Sequence, residues 1–194
     1  MTAFLLPIFA YLLGSVSSAI VIARLSGLQD PRDVGSGNPG ATNILRYGGK
    51  KAAVLTLLGD VLKGVVPVLI ARALSGDSLV VALTILAAFL GHVFPLYHGF
   101  KGGKGVATAF GTLVAMNVWV GLVIIGSWLL MAVTTRYSSL SAITVSVLAP
   151  VYVWWFTREP ALILATAVMS LLLLWRHRSN IQKLLAGTET KIGR

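Results

Sequence analysis

The sequence predicts an all-α integral membrane protein, a bundle of seven transmembrane helices with its amino terminus outside and its carboxyl terminus in the cytoplasm. Three observations predict it. Of 194 residues, 56% are hydrophobic and only 11% are charged, and the mean hydropathy of +0.85 lies well beyond that of soluble domains. The charges are bunched between long apolar runs, so lipid rather than water must cover the exterior. The cations are also distributed unevenly among the connecting loops, as the positive-inside rule requires of a cytoplasmic face. No repeat, linker or low-complexity stretch divides the chain, so residues 1–194 are read as a single polytopic domain.

The first span runs from Phe4 to Ala23. No basic residue precedes Arg24, so it lacks the charged n-region of a cleavable signal peptide and is expected to be retained. The second runs from Ala52 to Ala73 and carries Asp60 and Lys63 at i, i+3. Charge is costly at that depth, which predicts an ion pair facing the bundle, with Lys63 reaching an anion site as the alternative. The third runs from Leu79 to Tyr97; in this segment His92 is read as a helix-packing group and His98 as a surface residue. Leu140 to Phe156 and Ala161 to Trp175 complete the clear candidates.

The stretch from Val106 to Val133 decides the topology. One tilted helix would put Gly99 to Gly105 and Arg176 to Asn180 on opposite sides. Two short helices of ~12 to 16 residues, broken near Met116-Asn117, put them on the same side. The second arrangement gathers Arg24, Arg32, Arg46, Lys50, Lys51, Lys101, Lys104, Arg136, Arg176, Arg178, Lys183, Lys191 and Arg194 inside and leaves only Arg72 and Arg158 outside. It is preferred for that reason. The short helices must then sit tilted, or in protein rather than lipid.

A net charge of +10 raises nucleic acid as a partner, but in a membrane chain topology and anionic ligands or lipids account for it better. The absence of Cys excludes disulfides, thiolate catalysis and Cys-ligated zinc.

Three polar segments are predicted to share the cytoplasmic face. The first is the loop GSGNPGATNILRYGGKK, Gly35 to Lys51. Its Gly35, Gly37 and Gly40 match a GxGxxG spacing without the βαβ unit that would make it a dinucleotide site. Glycine backbone can still form an anion nest, to which Ser36, Asn38, Thr42 and Asn43 add neutral donors and Arg46 a bidentate fork. The second is GHVFPLYHGFKGGKGVATAF, Gly91 to Phe110. There Lys101 and Lys104 flank Gly102 and Gly103 directly before an apolar helix, which aims free amides and a helix dipole at whatever the lysines hold. Neither Gly-Lys pair is followed by the Ser or Thr of a Walker A motif. The third is RHRSNIQKLLAG, Arg176 to Gly187, whose His177 and Asn180 would share one helical face. The bland readings are a solvated linker for the first segment and lysines attracted to anionic lipid for the second.

In order, GSGNPGATNILR, GHVFPLYHGFKGGKGVAT and RHRSNIQKLLAGTE resemble the signature segments of the bacterial membrane-bound acyl-phosphate:glycerol-3-phosphate acyltransferases, the PlsY family. GDVLKG in the second span looks like the family as well. The departures are small: Tyr97 stands where Phe is expected, and Gln182-Lys183 where Arg often follows. The resemblance implies transfer of a fatty acyl group from acyl phosphate to the 1-hydroxyl of glycerol 3-phosphate, giving lysophosphatidic acid and phosphate, as the first acylation of phospholipid biosynthesis. It implies a multi-pass protein of the bacterial inner membrane with its site facing the cytoplasm, and it leaves room for loose coupling to the enzyme that makes the acyl phosphate.

Its chemistry agrees with the residues. An acyl phosphate is already activated, so the enzyme needs positioning and charge stabilisation more than a covalent nucleophile. Ser36, Lys104 and His177 are the expected catalytic residues. Gly35, Gly37, Asn38, Gly40, Thr42, Asn43, Arg46, Lys101, Gly102, Gly103 and Asn180 are expected to bind substrate. No metal or cofactor is expected, because Asp and Glu are few and scattered. An organic-phosphate carrier, or another lipid-phosphate transferase, is the alternative; carriers place their sites near the midplane, often with repeat symmetry.

Overall fold

The computed structural model describes residues 5–193. Phe4, the predicted start of the first span, and Arg194, one of the predicted cytoplasmic cations, lie outside the described residues. Every regular element described is helical: α1 (Leu5–Gly14), α2 (Ser18–Leu25), α3 (Ala41–Tyr47), α4 (Gly49–Leu74), α5 (Ser78–Val93), α6 (Val106–Met116), α7 (Val118–Thr135), α8 (Ser138–Thr157), α9 (Pro160–Arg176) and α10 (Arg178–Leu185), with a 3-10 turn at Leu96–His98.

Four helices, α5 with its 3-10 extension among them, are long and apolar enough to cross a bilayer. Counting each bent pair, α1 with α2 and α9 with α10, as one span brings the number to six. The helix α6 is the short one. Its 11 residues rise about 16 Å, roughly half of a ~30 Å hydrocarbon core. It is sheltered by protein instead, with Thr108, Ala109, Gly111, Thr112, Leu113, Ala115 and Met116 buried among α4, α5 and α7. Contact with α4 is backbone to backbone, for a Cβ on Gly111 would overlap the Val61 carbonyl.

The expected break between Met116 and Asn117 is present, and its cause is local. Asn117 is the N-cap of α7, its side-chain oxygen accepting from the amides of Trp119 at 2.9 Å and Val120 at 3.3 Å. At 18 residues, α7 is longer than expected.

Several predicted bounds are corrected. The first span is not one straight helix but two pieces bent by 42°, because Ser17 caps a new helix at Ile20. The third ends as an α-helix at Val93 rather than Tyr97, since Pro95 cannot continue it. The second begins at Gly49, so that Lys50 and Lys51 are helical. Part of the predicted first loop is itself a helix, α3, which carries Thr42, Asn43 and Arg46.

Long-range contacts sort the connections onto two ends. At one end, Arg72 donates to the Ala115 carbonyl at 2.6 Å and Ser78 donates to Glu159 at 2.9 Å. This joins the α4–α5 turn, the tip of α6 and the α8–α9 turn. At the other end, Arg176 donates to the Gly102 carbonyl at 2.7 Å, and the Ile192 amide donates to the Arg136 carbonyl at 2.7 Å. The α5–α6 loop, the α7–α8 turn and the tail meet there. The core lies between these ends, around Phe89, Ile85, Val68, Val120, Val153 and Met169.

Candidate active site

The first loop is built around Asn43. This side chain is 1% exposed. Its amide nitrogen donates to the carbonyls of Pro31 at 2.9 Å and Val34 at 3.0 Å, and its oxygen accepts the Ser36 amide at 2.9 Å. Both of its donors and its oxygen are engaged inside the loop, so Asn43 holds the turn rather than facing out of it. Gly35, at φ +60°, lies so close that a Cβ would overlap the Asn43 oxygen. Ser36, Gly37, Thr42 and Arg46 are left exposed on this frame, with Asn38 and Gly40 half-buried.

The second loop packs beneath it. Gly103 donates its amide to the His92 carbonyl at 3.2 Å, and a Cβ there would overlap the His92 ring and come within 3.1 Å of the Pro39 carbonyl. Only glycine permits both approaches, so the two loops close on one another at this residue. Arg176 fastens the neighbouring carbonyl of Gly102 from α9. Lys101, by contrast, is exposed, and among the described residues its ammonium makes no hydrogen bond or ion pair.

Lys104 is half-buried and donates to the Asn180 side-chain oxygen from α10. Burial, with the nearby cations Arg176, Lys183 and Arg46, pushes its ammonium down to about 8, against the pull of Glu189. His177 sits at the bend between α9 and α10 and is 3% exposed. Burial is again the main reason that its imidazole is pushed down to about 4; the Leu173 carbonyl opposes this and Lys104 adds to it. Its Nδ1 lies 2.8 Å from that carbonyl. The tautomer that satisfies the contact carries its proton on Nδ1 and leaves Nε2 as a lone-pair acceptor.

Glu189 belongs to this group and was not anticipated. One of its oxygens accepts from Asn180 at 2.8 Å and from Ser139 at 2.7 Å, so the tail after α10 orients the amide that holds Lys104. The available signal was that Glu189 is the one acidic residue after Glu159 in a basic tail. Lys104, Asn180, His177, Arg46 and the glycines of both loops thus lie at one end of the bundle, a half-desolvated cationic site suited to an organic phosphate.

The family model described as glycerol-3-phosphate acyltransferase matches residues 4–187. The chain belongs to the glycerol-3-phosphate acyltransferase family. The acyltransferase is 57% identical over 184 residues to the glycerol-3-phosphate acyltransferase of Thioalkalivibrio sulfidiphilus, covering 95% of this chain and 91% of the relative. It is 53% identical over 185 residues to that of Methylococcus capsulatus, covering 95% and 93%. Its structure is similar to the crystal structure of PlsY (YgiH), an integral membrane glycerol 3-phosphate acyltransferase, in the glycerol 3-phosphate form. That match has a TM-score of 0.95 and 45% identity and covers 100% of this chain and 96% of the other. The lysophosphatidic acid form of PlsY matches with a TM-score of 0.93 and 43% identity, at the same coverage. The membership places the acyltransferase in phospholipid biosynthesis, and the expected resemblance is met.

Proposed function

We propose that this acyltransferase moves a fatty acyl group from acyl phosphate to the 1-hydroxyl of glycerol 3-phosphate, releasing phosphate and lysophosphatidic acid. The observation that carries the reading is the convergence of Lys104, Asn180, His177 and Arg46 with two glycine-rich loops at one end of an apolar bundle. Both substrates carry phosphate, one also carries a lipid chain, and the site is cationic and membrane-embedded. The glycerol 3-phosphate and lysophosphatidic acid forms of PlsY are consistent with these two ends of the reaction.

In the proposed step the hydroxyl oxygen attacks the acyl carbonyl carbon, and the bond from that carbon to the phosphate oxygen breaks. Lys104 and the amides near Gly102 and Gly103 stabilise the oxyanion and the departing phosphate, while Ser36, Arg46 and Asn180 orient the two phosphates. The hydroxyl proton goes to a phosphate oxygen. His177, held at about 4, is a weaker base than a phosphate monoester with its second pKa of ~6. Its Nε2 serves instead to accept a hydrogen bond from the substrate. No acyl-enzyme and no metal enter this scheme; among the described residues no three His, Asp or Glu side chains converge as ligands.

The proposed topology has seven spans, with α6 as a sheltered half-length crossing, the amino terminus outside and the site on the cytoplasmic side of the bacterial inner membrane. The gathering of Lys104, Arg176 and Arg136 at the site end, and of Arg72 and Arg158 near the other, supports it.

Detergent-purified protein given acyl phosphate and glycerol 3-phosphate is expected to release lysophosphatidic acid and phosphate in equal amounts. Turnover without a second compartment also excludes a phosphate carrier. Absence of product, or turnover that requires acyl-CoA, would overturn the reading, and trapping of acylated Ser36 competent for transfer would overturn direct attack.

A further inference from the structure

A polar cluster in the membrane interior is unused by the proposed chemistry. Asp60 and Lys63 on α4 and His92 on α5 are 2%, 5% and 7% exposed. Lys63 Nζ lies 3.0 Å from Asp60 Oδ1 and donates to the Val16 carbonyl at 2.8 Å, in the turn between α1 and α2. It therefore points at the helix break and not into the phosphate site, contrary to the alternative weighed from sequence. Asp60 Oδ1 also lies 3.5 Å from His92 Nδ1. Across the same ring is Gly103, whose amide donates to the His92 carbonyl and whose Cα leaves no room for a Cβ against Nε2.

A chain of contacts thus runs from the α1–α2 turn, through Lys63, Asp60 and His92, to the residue preceding Lys104. If it served only to hold helices together, apolar side chains of similar volume would do as well or better, because desolvating an ion pair commonly cancels its attraction. His92 is also set where a helix end frees its backbone carbonyl to receive the loop.

We propose that Lys63, Asp60 and His92 are positioning residues that hold the Gly102–Lys104 loop in its phosphate-binding geometry and couple it to the α1–α2 turn. This rests on the phosphate-binding reading of that loop. The Asp60 carboxylate, 3.5 Å from Nδ1, holds the imidazole by charge and packing rather than by a formed hydrogen bond, and the imidazole in turn is the floor on which Gly103 lies.

The test compares wild type with the volume-conserving, charge-neutral pair Asp60→Leu/Lys63→Met, and with His92→Ala. The pair is expected to fold with an unreduced melting temperature but to raise KM for glycerol 3-phosphate at least about 10-fold, since small misplacements of a binding group have effects of that order. His92→Ala should raise it similarly, and the combination should add little, as for residues acting through one path. Hydrogen exchange is read in parallel without substrate, where the peptide over residues 99–106 should exchange faster while α4 and α5 keep their protection. Unchanged KM and unchanged loop exchange would overturn the proposal. So would loss of protection throughout α4 and α5, which would make the cluster a scaffold only. Lys104→Ala separates the two readings: if it left KM unchanged the phosphate assignment would fall, and the positioning role would be decided by loop exchange alone.

Discussion

Replacing Lys104 by Met should make the protein more stable and nearly inactive at once. The side chain is held at about 8, against an ordinary 10.5, chiefly by burial. Keeping it charged therefore costs the folded state about 3 kcal/mol. Water access to a half-buried group and loss of the Asn180 contact reduce the recoverable part to about 1 to 2 kcal/mol. For a chain of this size each kcal/mol moves the melting temperature by about 2–4 °C. The sign follows from proton binding: between 8 and 10.5 the unfolded chain holds more protons on this lysine than the folded one. The cost is complete below 8 and fades as pH rises toward 10.5. The gain from Lys104→Met should accordingly be largest at pH 7 and shrink to about a quarter of that by pH 10. Catalytic efficiency should fall at least about 10-fold, because a charge-assisted contact to phosphate contributes about 1.5–3 kcal/mol. Thermal melts in detergent at pH 7 and 10, with initial rates at pH 7, check both halves. A variant less stable than wild type at pH 7, or one retaining full efficiency, would refute the assignment of Lys104 as a strained, substrate-directed cation.

Arg46→Ala should lower efficiency at least about 10-fold through loss of a bidentate phosphate contact, whereas Lys191→Ala, which loses only a stacking contact over Tyr137, should change rates little. His177, held at about 4 rather than 6.5, keeps the folded protein from taking up a proton that the unfolded chain binds. The melting temperature should thus decline as pH falls from 6.5 toward 4, by up to about 3 kcal/mol of stability, and His177→Gln should flatten that decline. Single cysteines at Lys101, which is exposed in the same loop as the tightly packed Gly103, and at Ser138 and Ser179 should react only with cytoplasmic reagents and one at Gly76 only from outside; labelling of Ser179 from outside with Lys101 inside would break the proposed common site.

Where the sequence was readable, single residues with local effects made it so. Asn117 interrupts an apolar run with a side chain that caps helices, and the chain breaks there. The two charges placed in the second span had to find partners inside the bundle, and they do. Hydropathy was blind to the bend after Gly14, because a Ser-Val-Ser turn inside an apolar stretch barely lowers the average, while the Ser17 cap that makes the bend depends on geometry. It was equally blind to α3, which a glycine-rich context disguises as loop. Of the site residues, Asn43 was picked out for its residue type, yet its role as the pin of its own loop depends on contacts with Pro31 and Val34 that spacing does not reveal. Glu189 was passed over because a carboxylate in a basic tail gives no hint that it reaches back to Ser139, across 50 residues.

The brevity of α6 has a consequence for where the two reactants meet. A helix of 11 residues whose last turn meets Arg72 at the far end spans only about half of the hydrocarbon slab. In the proposed topology the loop carrying Lys104 therefore lies below the membrane surface, because α4 meets Thr108 only at Gly64 and so its earlier turns, from Gly49, extend past that loop. A lipid whose reactive head sits near its own tail need not be lifted out of the bilayer to be used. In the proposed reaction the small, water-loving molecule would make the descent instead, exchanging hydration for the amides and ammonium groups of the two loops. Enzymes that solve the problem the other way must extract a fatty chain into water; under the proposed function the membrane would keep its lipid and the protein would bring the polar partner down to it.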